Sequence, residues 1–157
     1  MSGSFITESF ARYPLFRCWV LLIAVSLLAV GCAPPVPQTI KVKGMVTFGG
    51  EKLKTGTISF VPKSITGDIH PVAVELDKDG NFDLSTFNAG DGIAPGEYLV
   101  TVVSYERAPD PATPGQEVWA IPRKYGDAQK SGLTAEIRAE DPQPIELDFN
   151  LEGEKNK

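Results

Sequence analysis

Histidine and cysteine are scarce in this chain of 157 residues. There is one histidine, His70, and the two cysteines are Cys18 and Cys32. The chain beyond residue 32 therefore has no cysteine for a disulfide or a thiol nucleophile. One histidine without cysteine also excludes the usual zinc and iron ligand sets. A domain in this part of the chain must be held by its core alone, and we expect no metal and no other cofactor.

Long hydrophobic runs are missing as well. The apolar run "CWVLLIAVSLLAVG" extends only from Cys18 to Gly31. It is shorter than the roughly 20 residues of a membrane-spanning helix, and its length suits the core of a signal peptide. Arg12 and Arg17 precede it, as basic residues precede an export signal. We predict a signal peptide, helical in its core, over residues 1–31. The alternatives are an uncleaved anchor helix and a signal cut without lipid attachment.

The end of this run has a pattern of its own. Leu28-Ala29-Val30-Gly31-Cys32 resembles the lipobox of bacterial lipoproteins. In that family the cysteine thiol receives a diacylglycerol, and cleavage before the cysteine makes it the new N-terminus. The resemblance implies that Cys32 carries lipid, with acyl chains such as palmitate. It also implies a lipid-anchored membrane protein of the cell envelope, at the outer membrane or the periplasmic face.

Prolines follow the cysteine directly, in "CAPPVPQ". Proline has no amide hydrogen and biases the preceding residue toward extended geometry, so a helix cannot continue here. We predict a semi-rigid tether over residues 32–38.

Basic residues are outnumbered in the chain. There are 15 lysines and arginines against 20 aspartates and glutamates, which gives a net charge of −5. Nucleic acids and anionic membrane surfaces are bound by basic patches. We therefore expect no nucleic-acid partner, and contact with a membrane only through the lipid on Cys32.

Short runs of alternating apolar and polar residues fill the remaining chain. Such alternation is typical of half-buried strands, with one face inward and the other toward solvent. We predict an all-β domain over residues 39–152, a seven- to eight-stranded antiparallel β-sandwich, followed by a polar tail over 153–157. The seven runs are 39–48, 55–62, 71–77, 81–86, 97–105, 133–139 and 144–151.

Four motifs follow one another along this domain: Gly44-Met45-Val46, "GTISFVP" (56–62), "DKDGNF" (77–82) and "PGEY" (95–98). Their order resembles the transthyretin-like, carboxypeptidase-regulatory-like domains of bacterial lipoproteins. The late piece "IPRKYGDAQKSGL" looks like the versions found in planctomycete-type envelopes. The resemblance covers residues 40–151 and implies a β-sandwich of transthyretin-like or immunoglobulin-like type without catalytic residues. A hydrolase of the same superfold acts on 5-hydroxyisourate with several histidines and a tyrosine-rich signature, which this chain lacks.

A catalytic centre has one candidate. His70 could act as a base, but it needs a nucleophile and an orienting partner, and Asp68 or Glu75 are the acids nearby in sequence. We expect a solvated loop residue instead. The rival interpretation is a small envelope hydrolase centred on His70.

The stretch "DKDGNFD" invites a calcium interpretation. Calcium loops of the EF-hand type have glycine at position six and glutamate at twelve. Here Gly80 falls at position four and Asn88 at twelve, so we expect a plain hairpin turn with Gly80 at positive φ. The oxygen-bearing side chains in question are Asp77, Asp79, Asn81 and Asp83.

An internal isopeptide bond between a first-strand lysine and a last-strand asparagine is a further possibility. The candidates are Lys41 or Lys43 with Asn150. The alternation places all three on the solvent side of their strands, whereas this reaction needs a buried site. We therefore expect no such bond.

The segment 106–132 departs from the strand pattern because it is rich in proline and glycine. Long connections of this kind are uncommon in compact domains and sometimes functional. Its aromatic and basic residues suggest a contact surface for a sugar or a peptide. The alternative is that Trp119 and Ile121 close one end of the sandwich. The predicted contact residues are Trp119, Arg123, Lys124 and Tyr125.

These observations favour a non-catalytic, lipid-anchored β-sandwich module of the cell envelope. We expect it to bind an envelope protein or a glycan, or to have a structural role. An accessory domain that assists a larger envelope complex is a second alternative, and the sequence does not separate it from the first.

Overall fold

The computed structural model of the chain describes residues 38–64 and 69–154. The predicted signal peptide, Cys32 and residues 32–37 of the tether lie outside these residues, as do Asp68 and residues 155–157. Among the described residues, no helix has the length and hydrophobicity needed to cross a membrane.

The described part of the chain contains ten strands and one 3₁₀ turn, Arg123–Gly126. Seven strands coincide with the seven alternating runs of the sequence, and three very short ones are additional. The strands are β1 (Val42–Phe48), β2 (Glu51–Lys52), β3 (Thr57–Pro62), β4 (Val72–Glu75), β5 (Asn81–Asp83), β6 (Gly96–Val103), β7 (Tyr105–Arg107), β8 (Val118–Trp119), β9 (Leu133–Ile137) and β10 (Ile145–Leu151).

Eight of these strands form two four-stranded sheets. In the first sheet, β1 is central, with β10 on one side and both β5 and β2 on the other. The second sheet has the order β4-β3-β6-β9 and is antiparallel throughout. The remaining two strands, β7 and β8, pair only with each other. The predicted all-β sandwich is confirmed.

One pairing has a direction that the sequence analysis did not anticipate. Strands β1 and β10 run parallel, with Val42 opposite Ile145 and Phe48 opposite Leu151. The other pairings of the described strands are antiparallel. The first and the last strand of the domain are therefore neighbours in one sheet.

Aromatic rings join the two sheets in the core. The ring of Phe60, on β3, lies 6.0 Å from Phe82 and 6.2 Å from Phe149, which both belong to the first sheet. It also meets Tyr98 of β6 edge-on at 6.2 Å. Such tilted and edge-to-face contacts are favourable for aromatic pairs. The apolar face predicted for each strand is the face that supplies this core.

Gly44 lies at a crowded point of the first sheet. A Cβ at this position would come within 1.8 Å of the Leu147 carbonyl oxygen and 2.7 Å of the Phe82 ring. Its φ is not in the positive range, so space rather than backbone conformation requires glycine here. The missing side chain lets β10 and the Phe82 ring approach β1.

Tyr98 is fully buried at the start of β6. Its hydroxyl donates a hydrogen bond to the Ala94 carbonyl at 2.7 Å, and burial raises the pKa of the phenol to about 12. A buried phenol usually has a hydrogen-bond partner. Here the bond ties the loop before β6 to the strand itself.

The two ends of β6 define two ends of the sandwich. Ile40, near the start of the described chain, pairs with Ile93, three residues before β6 begins. We call this the tether end. Strand β7 begins two residues after β6 stops, and we call that end the hairpin end. Eight strand residues at about 3.3 Å each separate the two ends.

Candidate functional site

The hairpin of β7 and β8 is an addition to the sandwich, since its strands pair with neither large sheet. Tyr105 and Trp119 are cross-strand partners, with a bulge between Tyr105 and Arg107. Their ring centroids are 4.7 Å apart and the ring planes are tilted by 57°. Both side chains are only partly buried, so the pair forms an aromatic surface at the hairpin end.

Ser104 attaches this hairpin to the sandwich. The residue is buried, and its hydroxyl donates a hydrogen bond to the Thr55 carbonyl at 2.6 Å. Its own carbonyl accepts a hydrogen bond from the Ala120 amide at 2.9 Å. One residue thus links the end of β6, the segment before β3 and the chain after β8.

The tip of the hairpin is exposed but internally ordered. Asp110 accepts the Thr113 amide through its carbonyl and the Ala112 amide through its side chain, so a first turn forms around Pro111. A second turn follows, in which Gly115 has a φ of 80°. Proline and glycine suit these turn positions because one presets φ and the other tolerates positive φ. The tip is therefore stiffened without packing against the core.

Trp119 rests on the 3₁₀ turn that follows it. A Cβ at Gly126 would lie 2.9 Å from the indole, so glycine allows the ring to lie against the backbone. The Arg123 guanidinium lies 5.7 Å from the indole centroid and pairs with Glu117 at 3.3 Å. An arginine over an indole is a favourable cation–π arrangement. Trp119 and Arg123, two of the predicted contact residues, are thus brought together with Tyr105 and Glu117.

Tyr125 differs from the prediction because it does not belong to the surface. Its side chain is only 5% exposed. The phenol oxygen accepts a hydrogen bond from the Glu152 amide at 2.9 Å and donates one to the Glu152 carbonyl at 3.0 Å. Tyr125 therefore holds the end of β10 against the 3₁₀ turn, and these two hydrogen bonds define its role in the fold.

Lys124 remains exposed beside the buried tyrosine. Its Nζ lies 4.8 Å from the Tyr125 ring centroid. The lysine is available at the surface, but its neighbour is the edge of the core and not the aromatic pair. Ile121 is fully buried, which agrees with the alternative in which this segment closes one end of the sandwich. The segment therefore has a buried side and an exposed side.

An acidic depression lies on the outer face of the first sheet, and Lys43 and Met45 are among the residues that line it. Lys43 forms an ion pair with Glu146 at 3.0 Å. Among the described residues, no group of three or more histidine, cysteine or acidic side chains has a geometry that could hold a metal ion. The acidic side chains that line it are Glu75, Asp77, Asp83, Glu146 and Asp148.

Asp77 has a structural role in the turn between β4 and β5. Its carboxylate accepts hydrogen bonds from the Asp79 and Asn81 amides, both at 2.8 Å, and from the Asn81 side chain at 3.0 Å. The Asn81 side-chain bond is the largest cause of a lowered pKa for this carboxyl group. Gly80 has a φ of 76°, as expected. These contacts fit the hairpin interpretation of "DKDGNFD".

The other polar candidates are dispersed. His70 is exposed, and the extended strand β4 separates it from Glu75 by roughly 3.3 Å per residue. Lys43 is engaged with Glu146, and Asn150 accepts a hydrogen bond from the Thr47 hydroxyl at 3.0 Å. The structure therefore brings neither His70 and Glu75 nor Lys43 and Asn150 into contact.

Five chains among the solved structures resemble this chain, and two of them illustrate the likeness. The chain is similar to a crystal structure of a DUF3823 family protein from Parabacteroides merdae, with a TM-score of 0.38, 16% identity and coverage of 74% of this chain and 46% of that one. It is also similar to a 9R-lipoxygenase from Cyanothece, with a TM-score of 0.34, 16% identity and coverage of 89% and 20%.

No protein-family model and no curated protein matches the sequence. The chain spans less than half the length of either structural neighbour. The resemblance to transthyretin-like lipoprotein domains therefore stays a prediction from the sequence motifs.

Proposed function

We propose that this protein is an exported β-sandwich module, anchored by lipid on Cys32, that contacts another component of the cell envelope through its hairpin end. The placement of the hairpin carries the proposal. It adds a partly exposed aromatic pair and a stiffened tip to a sandwich that needs neither for its sheets. Loops held by a rigid scaffold are common binding elements.

The place of Ile40, near the start of the described chain, supports the same function. The described chain begins at the tether end, which lies one strand length from the hairpin. A lipid on Cys32 holds the domain through the few residues that precede this end. The hairpin end is then free to meet a partner in the envelope.

The anchor is tested by metabolic labelling of the full chain with an alkyne fatty acid in a bacterial host. We expect the wild-type chain to be labelled, and Cys32→Ser to lose the label. Cys18→Ser is the matched control and keeps it, because residue 18 lies within the predicted signal peptide. A label that persists in Cys32→Ser would reject the anchor.

The contact surface is tested with a photoactivatable residue placed in living cells. Gln116, exposed at the hairpin tip, is the test position, and Lys78, exposed in the turn before β5, is the control. We expect a discrete crosslinked product from position 116 and none from position 78. Equal products at both positions would contradict a contact at the hairpin end.

We propose a non-catalytic role, because His70 is exposed and distant from Glu75 along β4. A general base needs hydrogen-bond reach to its partners. Hydrolytic activity toward esters or peptides that vanishes in His70→Ala would overturn this part of the proposal.

A further inference from the structure

We propose that the aromatic pair Tyr105 and Trp119, together with Arg123 and Glu117, is a carbohydrate-binding site that takes the pyranose rings of an envelope glycan. This inference rests on the proposed function, because it names the class of partner that the hairpin end contacts. It replaces Tyr125, which is buried, by Tyr105 as the second ring of the surface.

The first argument is the shape of the aromatic pair. A pyranose has an apolar face of C–H groups that packs on an aromatic ring. The rings of Tyr105 and Trp119 are tilted by 57° at a separation of 4.7 Å, so neither ring covers a full face of the other. Both side chains keep part of their surface exposed. The pair therefore offers apolar ring surface in a V-shaped arrangement.

The second argument is the polar groups beside the rings. The Arg123 guanidinium carbon lies 5.7 Å from the indole centroid. Its Nη2 forms an ion pair with Oε1 of Glu117 at 3.3 Å. A guanidinium supplies several hydrogen-bond donors in a fixed plane and a carboxylate supplies acceptors. Sugar hydroxyl groups both donate and accept. A ring face bordered by a paired donor and acceptor matches a molecule with one apolar face and a rim of hydroxyl groups.

The third argument is the rigidity of the site. Gly126 supports the indole, Ser104 fixes the root of the hairpin, and the Glu117 contact restrains Arg123. A site that is already ordered loses little side-chain entropy on binding. Tyrosine and tryptophan also have few rotatable bonds for the contact area that they offer. The hairpin therefore presents a formed surface.

The test is isothermal titration calorimetry on the full chain, purified from membranes in a detergent without a sugar headgroup. The probes are chitotetraose and cellotetraose, two β-1,4-linked pyranose chains with different substituents. We expect saturable binding of at least one probe. Trp119→Leu and Arg123→Gln each weaken it by about tenfold or more, as truncation of a central aromatic or arginine contact commonly does.

Phe87→Ser is the matched control. Phe87 is an aromatic residue with 48% of its surface exposed, in the loop at the tether end, and its loss leaves binding unchanged. Circular dichroism melting shows which variants are folded. If Trp119→Leu does not fold, Arg123→Gln decides, because its side chain is exposed and outside the core.

Absence of binding to both probes, or binding that Trp119→Leu and Arg123→Gln leave unchanged, would overturn the carbohydrate site. If position 116 then crosslinks to a protein, the proposed function stands and only the glycan assignment fails. If the sugar binds but Cys32→Ser keeps its lipid label, the site stands and the anchor fails.

Discussion

At the scale of single residues, Gly44 is a position where the fold has little tolerance for a side chain. An alanine there meets the Leu147 carbonyl and the Phe82 ring. We expect Gly44→Ala to lower the free energy of unfolding by about 3 kcal/mol, at the upper end of overpacking effects. Gly96→Ala is the control, since its Cβ has no neighbour closer than 3.6 Å. Urea unfolding of both variants measures the difference, and equal loss in both would contradict the crowding at Gly44.

Three aspartates, Asp77, Asp91 and Asp127, have a lowered pKa and make the stability sensitive to acid. Asp77 has a lowered pKa, chiefly through the Asn81 side chain. At Asp91 burial opposes the charged form, but the backbone amides of residues 86–88 outweigh it and lower the pKa. A carboxyl group with a lower pKa in the folded state releases its proton more readily there, so it stabilises the fold above its unfolded pKa near 4.

The stability should therefore be constant from pH 7 to about pH 5 and fall as the pH drops below about 4, through the folded pKa values. Urea unfolding at pH 7, 5, 4 and 3 measures this profile. Asp91→Asn should be less stable than wild type at pH 7 and should lose less stability on acidification. If the pH profile of Asp91→Asn is parallel to that of wild type, Asp91 does not contribute to the loss of stability in acid.

At the scale of elements, the sequence predicted the long strands and the direction of their faces. Val100 and Val102, for example, are buried and alternate with polar or partly exposed neighbours. Their period of two arises because one face of the strand packs in the core. Strands of two or three residues, such as β2 and β8, are too short to show a period. They form because a partner strand is already in place, which local sequence does not reveal.

The arrangement of the proposed contact surface was predictable in part, for a related reason. Trp119 and Arg123 are close in sequence, and the 3₁₀ turn keeps them close in space. Tyr105 lies beside them because of the hairpin pairing. Tyr125 is held in a buried position by its hydrogen bond to the Glu152 backbone. Both contacts depend on residues that are distant in sequence, Tyr105 in one case and Glu152 in the other. A short stretch of sequence around position 120 therefore does not predict them.

The hairpin tip should be dispensable for the fold. We expect replacement of residues 108–117 by Asn-Gly, a two-residue hairpin connection, to change the free energy of unfolding by less than about 1 kcal/mol, because residues 108–116 are exposed. Ser104→Ala should instead lower it by about 1 to 2 kcal/mol, since Thr55 loses a donor. Denaturant unfolding compares the two. A larger loss in the replacement variant would mean that the tip supports the sandwich.

At the scale of the whole molecule, the parallel pairing of β1 and β10 brings the first and the last strand of the domain together. Their pairing joins residues about a hundred positions apart, from Val42 with Ile145 to Phe48 with Leu151. Contacts of such separation slow folding because loop closure precedes any gain from them. The sequence predicted both strands but not their adjacency, because alternation in two distant runs carries no information about which strands pair.

The C-terminal strand should therefore be indispensable. A chain without residues 145–157 loses the partner of β1 and also Phe149, whose ring meets both Phe60 and Phe82. We expect no cooperative thermal transition in this chain, followed by circular dichroism. A chain without residues 155–157 is the control and should melt within about 2 °C of wild type, since β10 and the Glu152 contact to Tyr125 remain.

Addition of a synthetic peptide of residues 144–154 to the long truncation distinguishes a missing strand from general damage. If the remaining chain retains the register of β1, the peptide should restore a cooperative transition whose midpoint rises with peptide concentration, as binding to the folded state requires. A cooperative transition in the truncated chain without peptide would show that β1 is held by β5 and β2 alone. The parallel pairing would then be an addition to a sandwich that is already stable.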